Sequence, residues 1–233
     1  VAHGLKHPLV EALWATGALA QVWVTAWVLG RWWNGNGAGG LVWASATPAL
    51  FIPIVGNVLV PLAGVPLGHA EWSAAQFGIG LLFWPVVMIL IGARIAISGL
   101  WPDRLRPVSF IFIAPPAVVG LSALQFGAPP LVGWALWGMA LFTLAWVATQ
   151  ARAIAALPFG LPHWGLSFPL AALAALTLRL AGPGGFMANL GVLLLALATL
   201  VIAALALATV RGLRDGSLLA PEPLAAIQPV ASP

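Results

Sequence analysis

Three stretches of the chain repeat one arrangement of prolines and phenylalanine that could build a polar path through an apolar environment. Each has a proline near its start, a phenylalanine a few residues later, a further proline, and then small and aliphatic residues. A proline inside a helix removes a backbone hydrogen bond, and in lipid the freed carbonyl needs a partner in protein or water. The repeat therefore predicts broken helices that turn toward a shared path. The stretches are TPALFIPIVGNVLVPLAG (47–64), RPVSFIFIAPPAVVGLSA (106–123) and LPHWGLSFPLAALAALTL (161–178).

Broken helices offer hydrogen-bond donors that suit an anion. Unpaired backbone N–H groups and the positive N-terminal ends of helix dipoles can face an anion without any fixed charge. Polar side chains in the same stretches add donors, although each could instead bond to the preceding helical turn. Asn57 is the strongest candidate, because an amide costs more to bury unpaired than a hydroxyl that can bond backward. The side chains concerned are Asn57, Ser109, Ser122, Ser167 and Thr177.

No carboxylate lies in the middle of a predicted span, where its negative charge would repel an anion. Every acidic residue lies at a span end, in a loop or in the C-terminal tail, which argues against a cation path or a proton relay inside the membrane. Any ordinary set of hydrophobic spans would show the same absence, so the pattern alone discriminates weakly. The acidic residues are Glu11, Glu71, Asp103, Asp215 and Glu222.

The sequence shows no set of residues that would support catalysis or bind a metal ion. The sequence contains no cysteine, and His3, His7 and His69 lack the spacing of metal ligands. No Ser/His/Asp set and no phosphate-binding glycine loop can be assembled. Nine Lys and Arg against five Asp and Glu are spread along the chain rather than gathered into a nucleic-acid patch. We expect neither an enzyme nor a cofactor, metal or nucleic-acid partner.

The elements that must position these residues are membrane helices. Hydrophobic residues make up 62% of the chain and charged residues 6%, too few polar side chains to cover a water-soluble domain. A bilayer core of about 30 Å needs roughly 20 apolar residues per helix. The sequence therefore predicts one all-α transmembrane domain over residues 1–212 with seven spans. They are about 11–32, 47–67, 73–98, 107–126, 131–152, 162–181 and 186–210.

Basic residues predict the orientation of these spans. One side of the membrane would carry Arg31, Arg94, Arg104, Arg106, Arg152, Arg211 and Arg214, and the other Lys6 and Arg179. The positive-inside rule then places the C-terminus in the cytoplasm of an inner, or plasma, membrane protein. The proline-rich residues 213–233 are predicted to form a flexible cytoplasmic tail. Since the chain opens with Val1 rather than Met, we expect a truncated or processed start.

Two kinds of helix alternate along the chain. The second, fourth and sixth spans contain interior prolines, whereas the first, fifth and seventh have none and the third carries Pro85. This alternation predicts repeated hairpins, with kinked inner helices along a path and straight outer helices facing lipid. The alternative is that membrane helices simply tolerate proline. The prolines of the predicted inner helices are Pro53, Pro61, Pro115, Pro116 and Pro169.

The sequence resembles the tellurite-resistance/dicarboxylate transporter family, which includes the bacterial TehA proteins, fungal malate permeases, sulfite exporters and plant slow anion channels. Its motifs FIPIVGN, FIFIAPPAV and SFP occur in the family's order, and the similarity runs from about His7 to Arg211. Members have ten helices, five of which are kinked and surround a pore, and they commonly form homotrimers. The seven spans resemble helices four to ten.

The resemblance implies transport of small anions such as malate and other C4-dicarboxylates, sulfite, chloride or nitrate. It also makes Phe168 the gate, because the matching phenylalanine plugs the family's pore and a ring at a constriction blocks hydrated ions. Phe51 and Phe112 would help to narrow the path. Arg179 could draw anions to the outer end of the sixth span or extend to the lipid headgroups. The alternative is a truncated, non-transporting remnant or assembly subunit, because two pore-lining helices would be missing.

Overall fold

The computed structural model describes residues 8–35, 40, 41 and 43–219, and within these residues every regular element is helical. The seven predicted spans are confirmed as seven helical segments long and apolar enough to cross a membrane. The eight α-helices are α1 (Pro8–Trp32), α2 (Phe51–Leu67), α3 (Ala70–Ser98), α4 (Ala114–Gln125), α5 (Pro130–Ala148), α6 (Ala151–Ala155), α7 (Ser167–Leu180) and α8 (Gly185–Arg214).

Three of the spans begin with a 3₁₀ segment that passes directly into the α-helix. These 3₁₀ lead-ins are Pro48–Leu50 before α2, Asp103–Ile113 before α4 and Leu161–Leu166 before α7. They occur in the three spans that share the proline and phenylalanine pattern, so the predicted breaks are present as changes of helix type.

The prolines explain where the helix type changes. Pro53, Pro115, Pro116 and Pro169 all fall within the first turn of their α-helices. The backbone N–H groups of a first turn have no acceptor within the helix, so a proline costs no hydrogen bond there and its fixed φ favours the helix. Pro61 differs, since it lies inside α2.

The helices separate into an inner row and an outer layer. α2 packs against α4 and α4 against α7, while α1 and α3 cover α2, α5 covers α4 and α7, and α8 covers α7. Burial follows the same division. In the most hydropathic part of each span, 44%, 78% and 39% of residues are buried in the α2, α4 and α7 spans, against 11–22% in α1, α3, α5 and α8. The predicted arrangement of inner and outer helices is therefore present.

Some observed helix bounds differ from the predicted ones. α8 continues to Arg214, two residues into the predicted tail, and a short 3₁₀ turn follows at Ser217–Leu219. The rest of that tail, residues 220–233, and Lys6 at the other end lie outside the described residues. The predicted fifth span, 131–152, is divided by a turn at Thr149 and Gln150 into α5 and the short α6.

Candidate functional site

One side of α7 is left uncovered by the other helices. Phe168, Ala175 and Arg179 are exposed and follow one another at i, i+7 and i+11, which aligns them along one line of an α-helix. On the opposite side of α7, the Thr177 hydroxyl accepts a hydrogen bond of 2.9 Å from the Trp137 indole of α5. The exposed line therefore points away from the outer layer.

α2 presents a similar line. Ile52 and Ala63 are exposed and Leu59 is half-buried, again at i, i+7 and i+11. On the other side of α2, Ile54 and Val58 lie against Gly80 of α3. We call the two lines together the open face: Ile52, Leu59 and Ala63 on α2, and Phe168, Ala175 and Arg179 on α7. Its two lines lie on the helices that flank α4, and each line is the side of its helix that the outer helices leave uncovered.

The three phenylalanines of the repeated pattern have different surroundings. Phe51 and Phe112 are 0% and 1% exposed and meet edge to face, with ring centroids 5.6 Å apart. Phe112 also contacts the Trp146 ring at 5.4 Å. Phe168 is 45% exposed. Of these three rings, Phe168 is thus the one on the open face, while Phe51 and Phe112 fill the contact between α2 and the α4 lead-in.

The lead-in of α7 fixes the position of Phe168. The Ser167 hydroxyl donates to the Trp164 carbonyl at 2.7 Å, and the Trp164 indole donates to Thr209 of α8 at 3.0 Å. On its other side the lead-in packs on the lead-in of α4. There Gly165 leaves so little room that an added Cβ would lie 3.1 Å from the Val108 Cα atom.

We expect Gly165→Ala to destabilise the protein, because the methyl group would press on the backbone of Pro107 and Val108, and overpacking costs about 1–3 kcal/mol. A thermal unfolding midpoint in detergent measures the effect. The matched control is Gly160→Ala immediately before the same lead-in, where the nearest atom to an added Cβ is Pro162 Cδ at 3.6 Å, an ordinary contact. Equal midpoints for the two variants would show that the two lead-ins are free to move apart.

Asn57 lies in a buried hydrogen-bond network between α1, α2 and α3. Its amide donates to the Thr25 hydroxyl at 2.8 Å and to the Pro53 carbonyl at 3.0 Å, and it accepts from Gln76 at 3.2 Å. Gln21 donates to the same Pro53 carbonyl at 2.7 Å. The amide therefore points toward α1 and α3, and its predicted place along a path stays a prediction.

The remaining predicted polar residues bond to backbone carbonyls. Ser109 donates to Arg106 at 2.7 Å and Thr177 to Leu173 at 2.8 Å, each within its own segment. Ser122 donates across the helix contact to the Val58 carbonyl of α2. Sequence reasoning missed Gln21, Thr25 and Gln76, although a polar residue inside an apolar span was the signal that could have identified them.

Charged residues gather at the two ends of the helices. Seven arginines, the set predicted to face one side, lie at or beyond one end of the spans, and among them Arg106 pairs with Asp103 at 2.7 Å. We call this the arginine-rich end. At the opposite end His69 pairs with Glu11 at 2.7 Å and stacks on Trp14. In the part of the chain that the structure describes, no cluster of His, Asp or Glu could hold a metal ion.

Comparisons with known proteins agree with this architecture. Residues 3–210 match the model of the voltage-dependent anion channel family, SLAC1. Among curated proteins of Arabidopsis thaliana, the S-type anion channel SLAH2 is 26% identical over 77% of this chain and 34% of its own length. The S-type anion channel SLAH3 is 27% identical over 71% of this chain and 26% of its own length. The chain thus spans about a third of the length of the relatives it matches.

The family match covers nearly all of the described residues, including the three lead-ins, the inner row and the open face. It agrees with the family to which the FIPIVGN, FIFIAPPAV and SFP motifs pointed. The chain belongs to the voltage-dependent anion channel family.

Proposed function

We propose that this chain moves small anions across a membrane along the open face, with Phe168 as the gate. The observation that carries the proposal is the exposed line on α7, where an aromatic ring, a small residue and an arginine follow one another. A bulky ring on a path makes a dry, narrow point that hydrated ions cannot pass. Ala175 leaves space beyond the ring.

The charge distribution supports an anion as the ion that moves. Within the described residues, the open face contains Arg179 and no carboxylate. An anion is favoured over a cation on such a surface, and an intramembrane carboxylate that would relay protons is not on it.

The relatives are named as S-type anion channels, so anion movement is the function we carry over. We propose small anions of the malate, C4-dicarboxylate, sulfite, chloride or nitrate type as substrates. We propose that the arginine-rich end and the C-terminus lie on the cytoplasmic side of an inner membrane. A homotrimer, in which each protomer has its own path, is proposed from the family resemblance, and its mass in detergent can be measured by light scattering.

Replacing Phe168 by alanine is expected to raise anion flux in proteoliposomes. If the ring supplies about 1.4 kcal/mol of the barrier, its removal raises the rate about tenfold. Phe142→Ala is the matched control, because Phe142 is a 71% exposed phenylalanine on the outer helix α5. It should leave the rate unchanged.

The outcomes separate the candidate functions. A rate for Phe168→Ala equal to that of the unaltered protein removes Phe168 as the gate. No anion flux from either protein, with both folded and inserted, would favour the alternative of a non-transporting remnant or assembly subunit.

A further inference from the structure

Two side chains able to donate hydrogen bonds lie at the end of the inner row remote from the arginine-rich end. Gln125 is the last residue of α4, and Arg179 is the last but one of α7. Gln125 is half-buried and Arg179 is exposed. Within the described chain, neither side chain has a hydrogen-bond or ion-pair partner.

The two residues occupy the same register of their helices. Arg179 lies eleven residues after Phe168 and ten after Pro169, and Gln125 lies eleven residues after Ala114 and ten after Pro115. A spacing of i+11 returns to the same side of an α-helix after about three turns. Leu121, one turn before Gln125, is also half-buried, whereas Gly120 and Ser122 are buried against α7 and α2, so Gln125 belongs to the part of α4 that its neighbours cover least.

The two residues also lie at a similar depth. α4 and α7 run in the same direction, because each starts from a lead-in and the two lead-ins pack together. The helices meet where Gly120 of α4 lies against Leu176 of α7, with an added Cβ only 2.9 Å from the leucine side chain. At 1.5 Å per residue, Gln125 lies about 7.5 Å beyond this contact and Arg179 about 4.5 Å beyond it. An anion a few ångströms wide could reach both.

We propose that Arg179 and Gln125 form an anion-capture site at this entrance to the open face, a proposal that rests on the proposed function. The guanidinium supplies a permanent positive charge with several N–H donors, and the amide supplies two more. Small monovalent anions such as chloride and nitrate fit this donor set. The charge would raise the local anion concentration at the entrance and exclude cations from it.

Extension of Arg179 to lipid headgroups is the competing role. The two roles differ in their dependence on salt. Attraction of an ion from solution weakens as the Debye length shortens from about 30 Å at 0.01 M to about 3 Å at 1 M salt. A headgroup anchor would change membrane insertion or stability and would leave the ion selectivity of the path as it is.

The test measures chloride and nitrate flux, and the reversal potential in a potassium chloride gradient, for Arg179→Gln and Arg179→Lys in proteoliposomes. The glutamine variant is expected to lower flux about threefold to tenfold at low salt, with the loss shrinking at high salt, and to shift the reversal potential toward that of a less anion-selective path. The lysine variant should keep most of the flux. Gln125→Leu should lower nitrate flux about twofold to fivefold at every salt concentration, because it removes a donor but no charge.

Arg214→Gln is the matched control, since Arg214 is an exposed arginine on the outer helix α8 at the arginine-rich end. Wild-type flux, salt dependence and reversal potential in Arg179→Gln would overturn the capture site while leaving the proposed function intact. A wild-type protein that is folded and inserted but carries no anions would overturn the proposed function, and the capture site with it.

Discussion

The substitution Gly64→Val is expected to destabilise the protein by about 3 kcal/mol, because no space for a side chain exists where α1, α2 and α3 meet. An added Cβ at Gly64 would lie 2.6 Å from the Trp14 ring and would also strike the Ser73 hydroxyl of α3. Trp14 cannot move without loss, since its indole donates to the Val60 carbonyl at 3.2 Å and its ring stacks on His69 at 4.8 Å. The thermal unfolding midpoint of the purified protein in detergent measures the effect.

Gly78→Val is the matched control for this prediction. Gly78 lies on the exposed side of α3, and an added Cβ there meets no atom within 4 Å. Both variants place a β-branched residue in the interior of a membrane helix, so a difference between their midpoints isolates the contact with Trp14 and Ser73. Equal midpoints would mean that α1 is not held against α2 at Gly64.

The substitution Asn57→Leu is expected to destabilise the protein by about 1–3 kcal/mol, because it leaves buried polar groups without partners. Asn57 is 0% exposed and Gln76 1% exposed, so water cannot replace the lost amide. One N–H of Gln76 bonds to the Ala18 carbonyl at 2.8 Å, and the other would lose its acceptor on Asn57. The hydrogen-bonded packing of α1, α2 and α3 should weaken. Limited proteolysis and the thermal unfolding midpoint would detect this change.

Thr143→Val provides the comparison for Asn57. Thr143 bonds to the carbonyls of Ala140 and Met139 within its own helix, so its loss leaves no partner on another helix unpaired. Its effect should be no more than about 0.5 kcal/mol. If Asn57→Leu were equally mild, the network would not hold these helices together, and the earlier expectation that Asn57 lines a path would gain weight.

The number and order of the membrane spans were accessible from the sequence because hydrophobic length is set by the bilayer. The prolines also identified the inner helices correctly, since broken backbone must be covered by protein. The nature of the break was not accessible. Pro53, Pro115, Pro116 and Pro169 were expected inside helices, and whether a proline lies inside an α-helix or in its first turn depends on where the preceding 3₁₀ segment stops.

The candidate site was predictable in part. The sequence and its family resemblance predicted roles for Phe168 and Arg179, but their common exposed line on α7 is a feature of the structure. For Asn57, the sequence alone does not identify the hydrogen-bond partner. An amide in an apolar span signals that a partner exists, yet the sequence does not say whether that partner is an ion or another helix. Here Thr25 and Gln76, distant in sequence, supply the partners.

The nearly complete burial of α4 has a consequence for the order of assembly. α4 contacts α2, which precedes it in the chain, and α5 and α7, which follow it. A ribosome delivers helices from the N-terminus onward, so α4 is synthesised before two of these three neighbours, α5 and α7. Its final environment is completed only when Leu161–Leu180 has been synthesised. The spans of α5 and α7 therefore complete the packing around α4 only after α4 itself has been synthesised.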